Sequence, residues 1–162
     1  MNDSNTNVGG WKDSSMRKTL LGNSNSPTSP LANSLMAALP SDLRAVMKSV
    51  TKYTDNTGNA SNSSGNVTAT TDYLWLLAEF EVQGGRSYAN QYEQNSQLQY
   101  DYYKAGNSKI AYKHTAVGTA VWWWLRSPCY IHTNYFCYVS TGGGTGSGDA
   151  YSSAALLPGF AT

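Results

Sequence analysis

The side chains that could carry acid–base chemistry are few, and their spacing matches no catalytic motif. The chain has two histidines, His114 and His132, and either could act as a base beside a serine and Asp101 or Asp149. Serine and aspartate occur so often in this sequence that such a triad can be drawn by accident. No G-x-S-x-G nucleophile elbow is present. We therefore expect that the protein is not an enzyme.

The carboxylates, cysteines and glycine-rich segment give no stronger catalytic signal. Glu79 and Glu81 would share one face of a strand, without a second carboxylate partner for glycosidase geometry. The two cysteines, Cys129 and Cys137, predict no disulfide framework, and no CxxC or HxxxH spacing accompanies them. Residues 142–146 lack the Gly-Lys-Ser/Thr that completes a phosphate-binding loop. We expect neither a metal nor a cofactor.

The composition is typical of a recognition surface, or of a loop-rich protein with a solvated surface. A length of 162 residues suits a single domain over 1–162. Charged residues make up only 13%, about half the usual quarter. Polarity comes instead from Asn, Ser, Thr, Gly and Tyr. Tyrosine gives rigid contact area, while serine, glycine and asparagine give adaptable hydrogen bonds.

Charge and hydropathy exclude two classes of partner. The net charge is +1 and no basic run is present, so we expect no nucleic-acid partner. No apolar run is long enough for membrane insertion. The polar start, Met1 to Ser4, shows no signal peptide. It is equally compatible with a chain that forms the C-terminal part of a longer protein.

Three apolar patterns in the first third predict helices, over residues 11–21, 30–39 and 41–50. Their Leu, Val and Met residues recur at helical spacing and are expected to pack in the core. Gly22 would end the first helix. Ser41 is a candidate N-cap of the third.

The remaining sequence predicts strands separated by long irregular loops. Residues 55–66 are rich in Gly, Asn and Ser and predict a mobile loop. The apolar run 121–125 predicts a buried strand, which Arg126-Ser127-Pro128 should break. Further strands are predicted for residues 67–77, 79–82, 109–113 and 135–140, a short helix or strand for 100–104, and a turn at Pro158-Gly159. Helices followed by antiparallel strands indicate an α+β fold, with N-terminal helices packed on a mainly antiparallel sheet.

One segment has an unusual composition. Residues 129–157 contain no Lys, Glu, Gln, Met or Trp, which would happen by chance in roughly one case in a hundred at background usage. A Gly/Ser-rich loop explains only part of this exclusion. The five missing types are those that a codon ending in a pyrimidine cannot encode. We therefore hypothesise that the segment is built largely from pyrimidine-ending codons whose first two bases vary.

Several motifs resemble a bacterial and phage domain family of unknown function. Its hallmark is a WWLRSP strand, followed by a glycine-containing segment and a closing strand. Matching stretches span nearly the whole chain: Gly9–Trp11, Ser15–Arg17, Leu39–Leu43, Leu74–Glu79, Tyr102–Gly106, Trp123–Pro128, Phe136–Val139 and Leu157–Phe160. Some members look like target proteins of diversity-generating retroelements. In these, a template copied with errors at adenines replaces the end of the gene and turns AAC or AAT codons into other pyrimidine-ending codons.

The resemblance implies a C-type-lectin-like fold with a variable surface on a fixed scaffold. The formylglycine-generating enzyme group shares that fold, but kinship of fold does not transfer chemistry. The implied function is binding of a protein or glycan ligand on a cell surface, by a protein displayed on a phage virion or a bacterial cell surface. The alternative is a structural or oligomerisation domain of a phage tail or bacterial surface protein, with residues 142–148 as a spacer.

The resemblance also divides the C-terminal region into fixed and variable positions, with the variable region at about 129–155. The fixed scaffold comprises Trp123, Trp124, Leu125, Arg126, Ser127, Pro128, Phe136, Val139, Pro158, Gly159 and Phe160. Thr133, Cys137, Thr141, Gly143, Ala150 and Ser153 look like fixed neighbours, as does Tyr130, which is still expected to touch ligand. The expected variable positions are Cys129, Ile131, His132, Asn134, Tyr135, Tyr138, Ser140, Gly142, Gly144, Gly146, Ser147, Gly148, Asp149, Tyr151, Ser152 and Ala154.

The aromatic members of this set are the expected anchors, because aromatic side chains dominate binding energy at interfaces. The small residues at 142–148 are expected to leave a cleft or a mobile lip. The alternative is that the tyrosines simply cover the sheet. One departure from the family bears on the C-terminal limit of the variable region. Ala155-Leu156-Leu157-Pro158 stands where the family often has Gly-Val-Ala-Pro.

Overall fold

Seven strands form three separate antiparallel sheets in the computed structural model, which describes residues 1–162. Two sheets are two-stranded hairpins and the third has three strands in the order β5-β6-β7. The strands are β1 Val50–Asp55, β2 Val67–Asp72, β3 Ala111–Lys113, β4 Ala116–Val121, β5 Trp123–Pro128, β6 Tyr135–Val139 and β7 Thr145–Asp149.

The helices are short and lie between these strands. They are α1 Gly10–Asp13, α2 Leu35–Ala38, α3 Ser41–Val46, α4 Glu79–Gln83 and α5 Asp101–Lys104, with a π-helix at Met16–Leu20 and 3-10 turns at Ser64–Asn66 and Gln91–Ser96. A mixed helix and strand architecture with antiparallel sheets was predicted, and it is confirmed. None of the helices has the length and apolar character needed to cross a membrane.

The predicted N-terminal helices are present but shorter than expected. The first is divided at Ser14, whose backbone is extended and whose Oγ accepts a hydrogen bond from the N–H of Arg17. Gly22 ends this region at a φ of +93°, which favours glycine. The third helix ends at Val46, and Val50 instead opens β1. Val46 is 55% exposed, so the prediction that this apolar stripe packs in the core is wrong there.

The predicted strand at residues 79–82 is a helix. Ala78 donates its N–H to Oε2 of Glu81, and this bond closes the first turn of α4. Gly84 ends the helix at a φ of +70°, and its N–H donates to the carbonyl of Phe80. Alternation over four residues is too short to separate the two structures. The acidic first turn and the closing glycine are the signals that favour a helix.

The buried strand β5 begins at Trp123 and continues through Arg126-Ser127-Pro128, so the predicted break there is wrong. All six residues of the strand are buried. Its pairing with β6 is irregular between Trp124 and Pro128, and this accommodates the proline. Arg126 can be buried because a carboxylate and several oxygen atoms surround its guanidinium, as described below.

Both faces of the three-stranded sheet pack against apolar side chains. Trp124 and Phe136 face one cluster, which includes Trp11 and Met36 from the N-terminal region. Trp123, Leu125, Cys137 and Val139 face the other, together with Val82 of α4. Successive residues of a strand point to opposite faces, so an apolar run such as Trp123–Leu125 is expected for a sheet covered on both sides.

Both chain termini pack beside this sheet. The Met1 ammonium group and the N–H of Asn2 donate to the carbonyl of Ala150, just after β7. The C-terminal segment pairs at isolated positions: Ala155 with Trp123, Gly159 with Trp75 and Ala161 with Lys48. Gly159 therefore makes a strand-like bridge rather than the predicted turn.

Candidate functional site

The expected ligand-contacting positions lie on the surface around β6 and β7, with one exception. They occupy the loop between β5 and β6, the exposed side of β6, the turn before β7, β7 itself and residues 151–154. All except Cys129 are partly or fully exposed. Of the expected scaffold residues, Trp123–Pro128, Phe136 and Val139 are buried, whereas Pro158 and Gly159 are partly exposed and Phe160 is 47% exposed. We refer to the exposed set as the candidate surface.

Cys129 does not belong to the candidate surface. It is 0% exposed, directly continues the buried strand β5 and pairs with Ala89 in an isolated bridge. Its N–H donates to the carbonyl of Tyr135. The side chain therefore lies within the protein, and its assignment to the ligand-contacting set is corrected.

The loop at residues 130–135 is fastened by one side chain from the N-terminal region. Asn7 is 0% exposed. Its Nδ2 lies 2.7 Å from the carbonyl oxygen of His132, 2.8 Å from that of Tyr135 and 3.2 Å from that of Cys129. Its own N–H donates to the carbonyl of Thr133 at 2.8 Å. Each of these acceptors is a main-chain group, so the anchoring does not depend on which side chains the loop carries.

Two aromatic side chains of this loop stack on neighbours. The rings of His132 and Tyr135 are 4.6 Å apart between centroids. The guanidinium of Arg86 lies 4.9 Å from the ring centroid of Tyr130, within the range of a cation–π contact. Both contacts hold flat, partly polar groups at the surface, which suits the recognition of mixed polar and apolar ligands.

Asp149 connects the loop to β7. Its Oδ1 accepts hydrogen bonds from Nδ2 of Asn134 and Nδ2 of Asn5, both at 2.8 Å. The loop, the end of β7 and the N-terminal residues therefore form one continuous part of the candidate surface.

An aromatic cleft of about 380 Å³ lies beside Asp149. Trp122 and Tyr138 meet edge to face with centroids 4.9 Å apart, and Trp124 packs behind both of them. Such pairs are favoured by the ring quadrupole. The hydroxyl- and carboxylate-bearing rim consists of Ser140, Thr141, Ser147, Asp149 and Ser152.

The glycines of β7 make room for Tyr138. A Cβ at Gly146 would lie 2.5 Å from Cζ of Tyr138, and one at Gly148 would lie 3.3 Å from its Cε1. Thr145–Asp149 forms a strand paired with β6, so the predicted mobile lip, and the alternative of a spacer, are wrong for these residues. Gly148 does line the cleft. A side chain as large as tyrosine at residue 138 therefore requires glycine at residue 146, and a larger residue at 146 requires a smaller one at 138.

Strand β5 also carries a buried ionic group that the sequence did not predict. Arg126 makes a two-pronged contact with Glu81, with Nη1–Oε2 at 2.6 Å and Nη2–Oε1 at 2.8 Å. It also donates to Oγ1 of Thr54 at 2.6 Å and to the carbonyl of Leu76 at 2.8 Å. Burial alone would raise the pKa of Glu81, but the charge and hydrogen bonds of Arg126 outweigh burial and hold that pKa below its usual value.

Two further glutamates are buried nearby. Glu93 accepts hydrogen bonds from the N–H of Asp55 and the hydroxyl of Ser127. Burial outweighs these bonds and raises the pKa of Glu93 from 4.5 to about 7. Glu79 accepts from three successive main-chain N–H groups, those of residues 87–89, and from the hydroxyl of Thr145. Glu79 and Glu81 therefore do not share a strand face, and they have different partners.

The cysteines and histidines form no reactive arrangement of their own. Cys129 and Cys137 are both buried and unpaired. Burial and the charge of Glu79 raise the pKa of Cys137 well above its usual value, which disfavours the reactive thiolate. His114 and His132 are exposed. No cluster of three or more His, Cys, Asp or Glu side chains is placed to hold a metal ion.

Four residues that form the candidate surface or hold it in place lie outside the positions expected from the sequence. Asn5, Asn7, Arg86 and Trp122 contribute to the candidate surface or hold it in place. The two asparagines carry no motif, and only the fold brings them next to residues 129–149. Trp122 was predicted to belong to the buried run 121–125, but it lies between β4 and β5 and is only partly buried.

One comparison with known proteins gives a match. The family model described as "Domain of unknown function (DUF6273)" matches residues 1–161. No curated protein and no solved structure matches the chain.

Proposed function

We propose that this chain, which belongs to the DUF6273 family of domains of unknown function, is a non-catalytic ligand-binding protein whose C-terminal surface is diversified by a retroelement. The proposed ligand is a protein or a glycan on a cell surface. The proposed place of display is a phage virion or a bacterial cell surface. We also propose that this mixed α and β architecture is a C-type-lectin-like fold.

The observation that carries this proposal is the division of residues 123–154 by burial. The positions expected to vary are partly or fully exposed apart from Cys129, while the expected framework of β5, Phe136 and Val139 is buried. Exposed positions accept substitution at little cost in stability, whereas buried ones do not. A gene segment rewritten at random can yield folded proteins only if most of its changes fall on exposed positions.

The anchoring of the surface supports the same proposal. Asn7 fastens the loop through carbonyl oxygens, which every replacement residue retains. The pairing of β7 with β6 also uses main-chain groups. Recognition could therefore change while the backbone that presents it stays in place, as in antibody loops on a rigid scaffold.

The first test is the DNA sequence of the gene and its flanks. We expect a near-identical copy of the segment encoding residues 129–155, differing from the gene almost only where the copy has adenine. We also expect codons ending in pyrimidine at most of the exposed positions. Purine-ending codons at most of these positions, with no such copy nearby, would contradict diversification by a retroelement.

The second test concerns tolerance of the fold and does not require a known ligand. One library would randomise Ile131, His132, Ser147 and Tyr151 with pyrimidine-ending codons. A matched library would randomise four buried positions, Trp124, Leu125, Phe136 and Val139, in the same way. We expect most members of the first library, and few of the second, to remain soluble and to unfold cooperatively. Equal losses in the two libraries would count against a variable surface.

The second candidate function is subunit association, and the β3–β4 hairpin favours it. Val117 is 96% exposed and Tyr112 is 56% exposed, on a two-stranded sheet that packs little of its own surface. If the hairpin joins subunits, light scattering should give an oligomer for the wild type and a smaller particle for Val117→Ser with Tyr112→Ser. A monomer in both cases would remove this candidate.

A further inference from the structure

A second cleft, of about 410 Å³, lies along the outer edge of β1. One wall is the strand itself at Thr51–Tyr53, and the other is the segment at residues 96–101. That segment is held on α4 by the N–H of Tyr100, which donates to the carbonyl of Glu81 at 2.9 Å. No residue of this cleft belongs to the candidate surface, so it forms a separate site.

The wall formed by β1 carries main-chain groups on an unpaired edge of its sheet. β1 pairs only with β2, and alternate residues of an antiparallel strand turn their N–H and C=O away from the partner strand. The carbonyl of Tyr53 and the N–H of Asp55 point away from β2, because they bond to Gln97 and Glu93. By the same alternation, both main-chain groups of Thr51 and the N–H of Tyr53 lie on this edge, and none of them bonds to another segment of the chain.

The opposite wall combines an unmet acceptor with exposed apolar surface. Oε1 of Gln97, a residue that lines this wall, is buried and accepts no hydrogen bond. Leu98 is 85% exposed and Tyr53, across the cleft, is 43% exposed. A ligand with both backbone-like polar groups and an apolar side chain would match these features.

Two of the three charged side chains that line the cleft, those of Lys52 and Glu81, are already paired within the protein. The ammonium of Lys52 lies 2.9 Å from the hydroxyl of Tyr100, 3.7 Å from Oε1 of Glu81 and 4.5 Å from the ring centroid of Trp75. Arg126 satisfies the rest of Glu81. A small anion is therefore a poor ligand for this cleft, because it would have to displace the partners of Lys52.

A helical peptide is also a poor ligand. Its main-chain groups are bonded internally, so it would leave the main-chain groups on the edge of β1 without hydrogen bonds.

We propose that the outer edge of β1 binds an extended peptide segment of a partner protein as an added strand. Main-chain hydrogen bonds to Thr51 and Tyr53 provide the affinity, and an apolar side chain seated beside Leu98 provides the selectivity. Strand addition of this kind is a common mode of peptide recognition. The site does not rest on the proposed diversification, and because it lies outside residues 129–155 it would hold the same partner whatever the variable surface binds.

The edge of β1 is a better candidate than the exposed hairpin at β3–β4. Residues 114–119 of the hairpin are all exposed, and no other segment lies beside them to form a cleft. A strand added to β4 would gain main-chain bonds but bury little side-chain surface. At β1 the segment 96–101 would cover the outer side of the added strand.

The test uses the full chain and a displayed library of random eight-residue peptides. Peptides selected on the wild type would be measured on two proline variants. Thr51→Pro removes an N–H from the outer edge without breaking a bond to β2, and proline is tolerated at such a position. Thr71→Pro is the matched control. Thr71 lies on β2 opposite Thr51, and its main-chain groups point away from β1, toward the other edge of this two-stranded sheet.

We expect selected peptides to slow hydrogen exchange at the amides of Thr51 and Tyr53. We expect Thr51→Pro to weaken binding by about tenfold, as for one lost hydrogen bond, and Thr71→Pro to leave affinity unchanged. Leu98→Ser should weaken binding while leaving the melting temperature unaltered, because this side chain is exposed. The proposal is overturned if the library yields no binder, if the binders protect β4 instead, or if both proline variants bind equally well.

Discussion

Strand β5 and the loop that follows it are neighbours in the chain, but the structure holds them in opposite ways. In β5, the side chains of four residues bond to other segments of the chain, namely Trp123, Trp124, Arg126 and Ser127. Arg126 by itself contacts Glu81, Thr54 and the carbonyl of Leu76. The loop at residues 130–135 is held through its carbonyl groups by Asn7. Attachment through side chains restricts the sequence, whereas attachment through the main chain leaves it free to change.

The strongest test of this comparison removes the charge from β5. Arg126→Met would leave Glu81 buried without its main counter-charge, and we expect the free energy of unfolding to fall by about 3–5 kcal/mol. Urea denaturation measures the change. The matched surface control is His132→Ala, expected within about 0.5 kcal/mol of the wild type. Similar effects of the two substitutions would refute the distinction between the regions.

The second test follows the pH dependence of the group beneath β5. Folding raises the pKa of Glu93 from 4.5 to about 7, so between these values the folded state keeps a proton that the unfolded state has released. The contribution of Glu93 to the free energy of unfolding is therefore fully present below pH 4.5. About 3 kcal/mol of this contribution is lost as the pH rises to 7. Glu93→Gln should flatten this part of the curve of unfolding free energy against pH. An unchanged slope in the variant would show that Glu93 titrates normally.

Burial of the chain's amino group acts in the opposite direction over an overlapping range. The pKa of the Met1 ammonium falls from 8.0 to about 6, so this group adds stability as the pH rises from 6 to 8. The difference between wild type and Glu93→Gln, rather than the wild-type curve alone, therefore isolates Glu93.

The third test removes the anchor of the loop. Asn7→Ala deletes the donor to three carbonyl groups and the acceptor for the N–H of Asn59. Leaving such buried groups unsatisfied should cost about 2 kcal/mol. Hydrogen exchange should quicken at residues 130–135 and not in β5. Asn5→Ala, which breaks one exposed hydrogen bond, is the control and should have little effect.

The smallest expected effect concerns two positions within the candidate surface. Gly146→Ala would press a methyl group against Tyr138, whose ring is held by Trp122 and Trp124. We expect a loss of about 1–2 kcal/mol, largely reversed when Tyr138→Ser accompanies it. A double-mutant cycle measures the coupling. Additive losses would mean that the two positions vary independently.

Local patterns located many of the elements and missed those that depend on distant partners. The short strand near Lys113, the strand at Tyr135–Val139 and the short helix after Tyr100 follow the predicted positions. The strands β1, β4 and β7 were not predicted. β7 is rich in glycine, and its strand structure comes from pairing with β6 rather than from propensity.

Residue type and local periodicity are enough to predict the mixed class of the fold, the buried run at Trp123–Leu125 and the unusual composition of residues 129–157. Three other features became visible only in the folded chain: Cys129 is buried, Arg126 continues the strand beside Glu81, and Asn7 holds the loop. These facts depend on contacts between residues 40 or more positions apart. No local pattern carries them, since a buried charge and an asparagine anchor are defined by the partners that the fold brings to them.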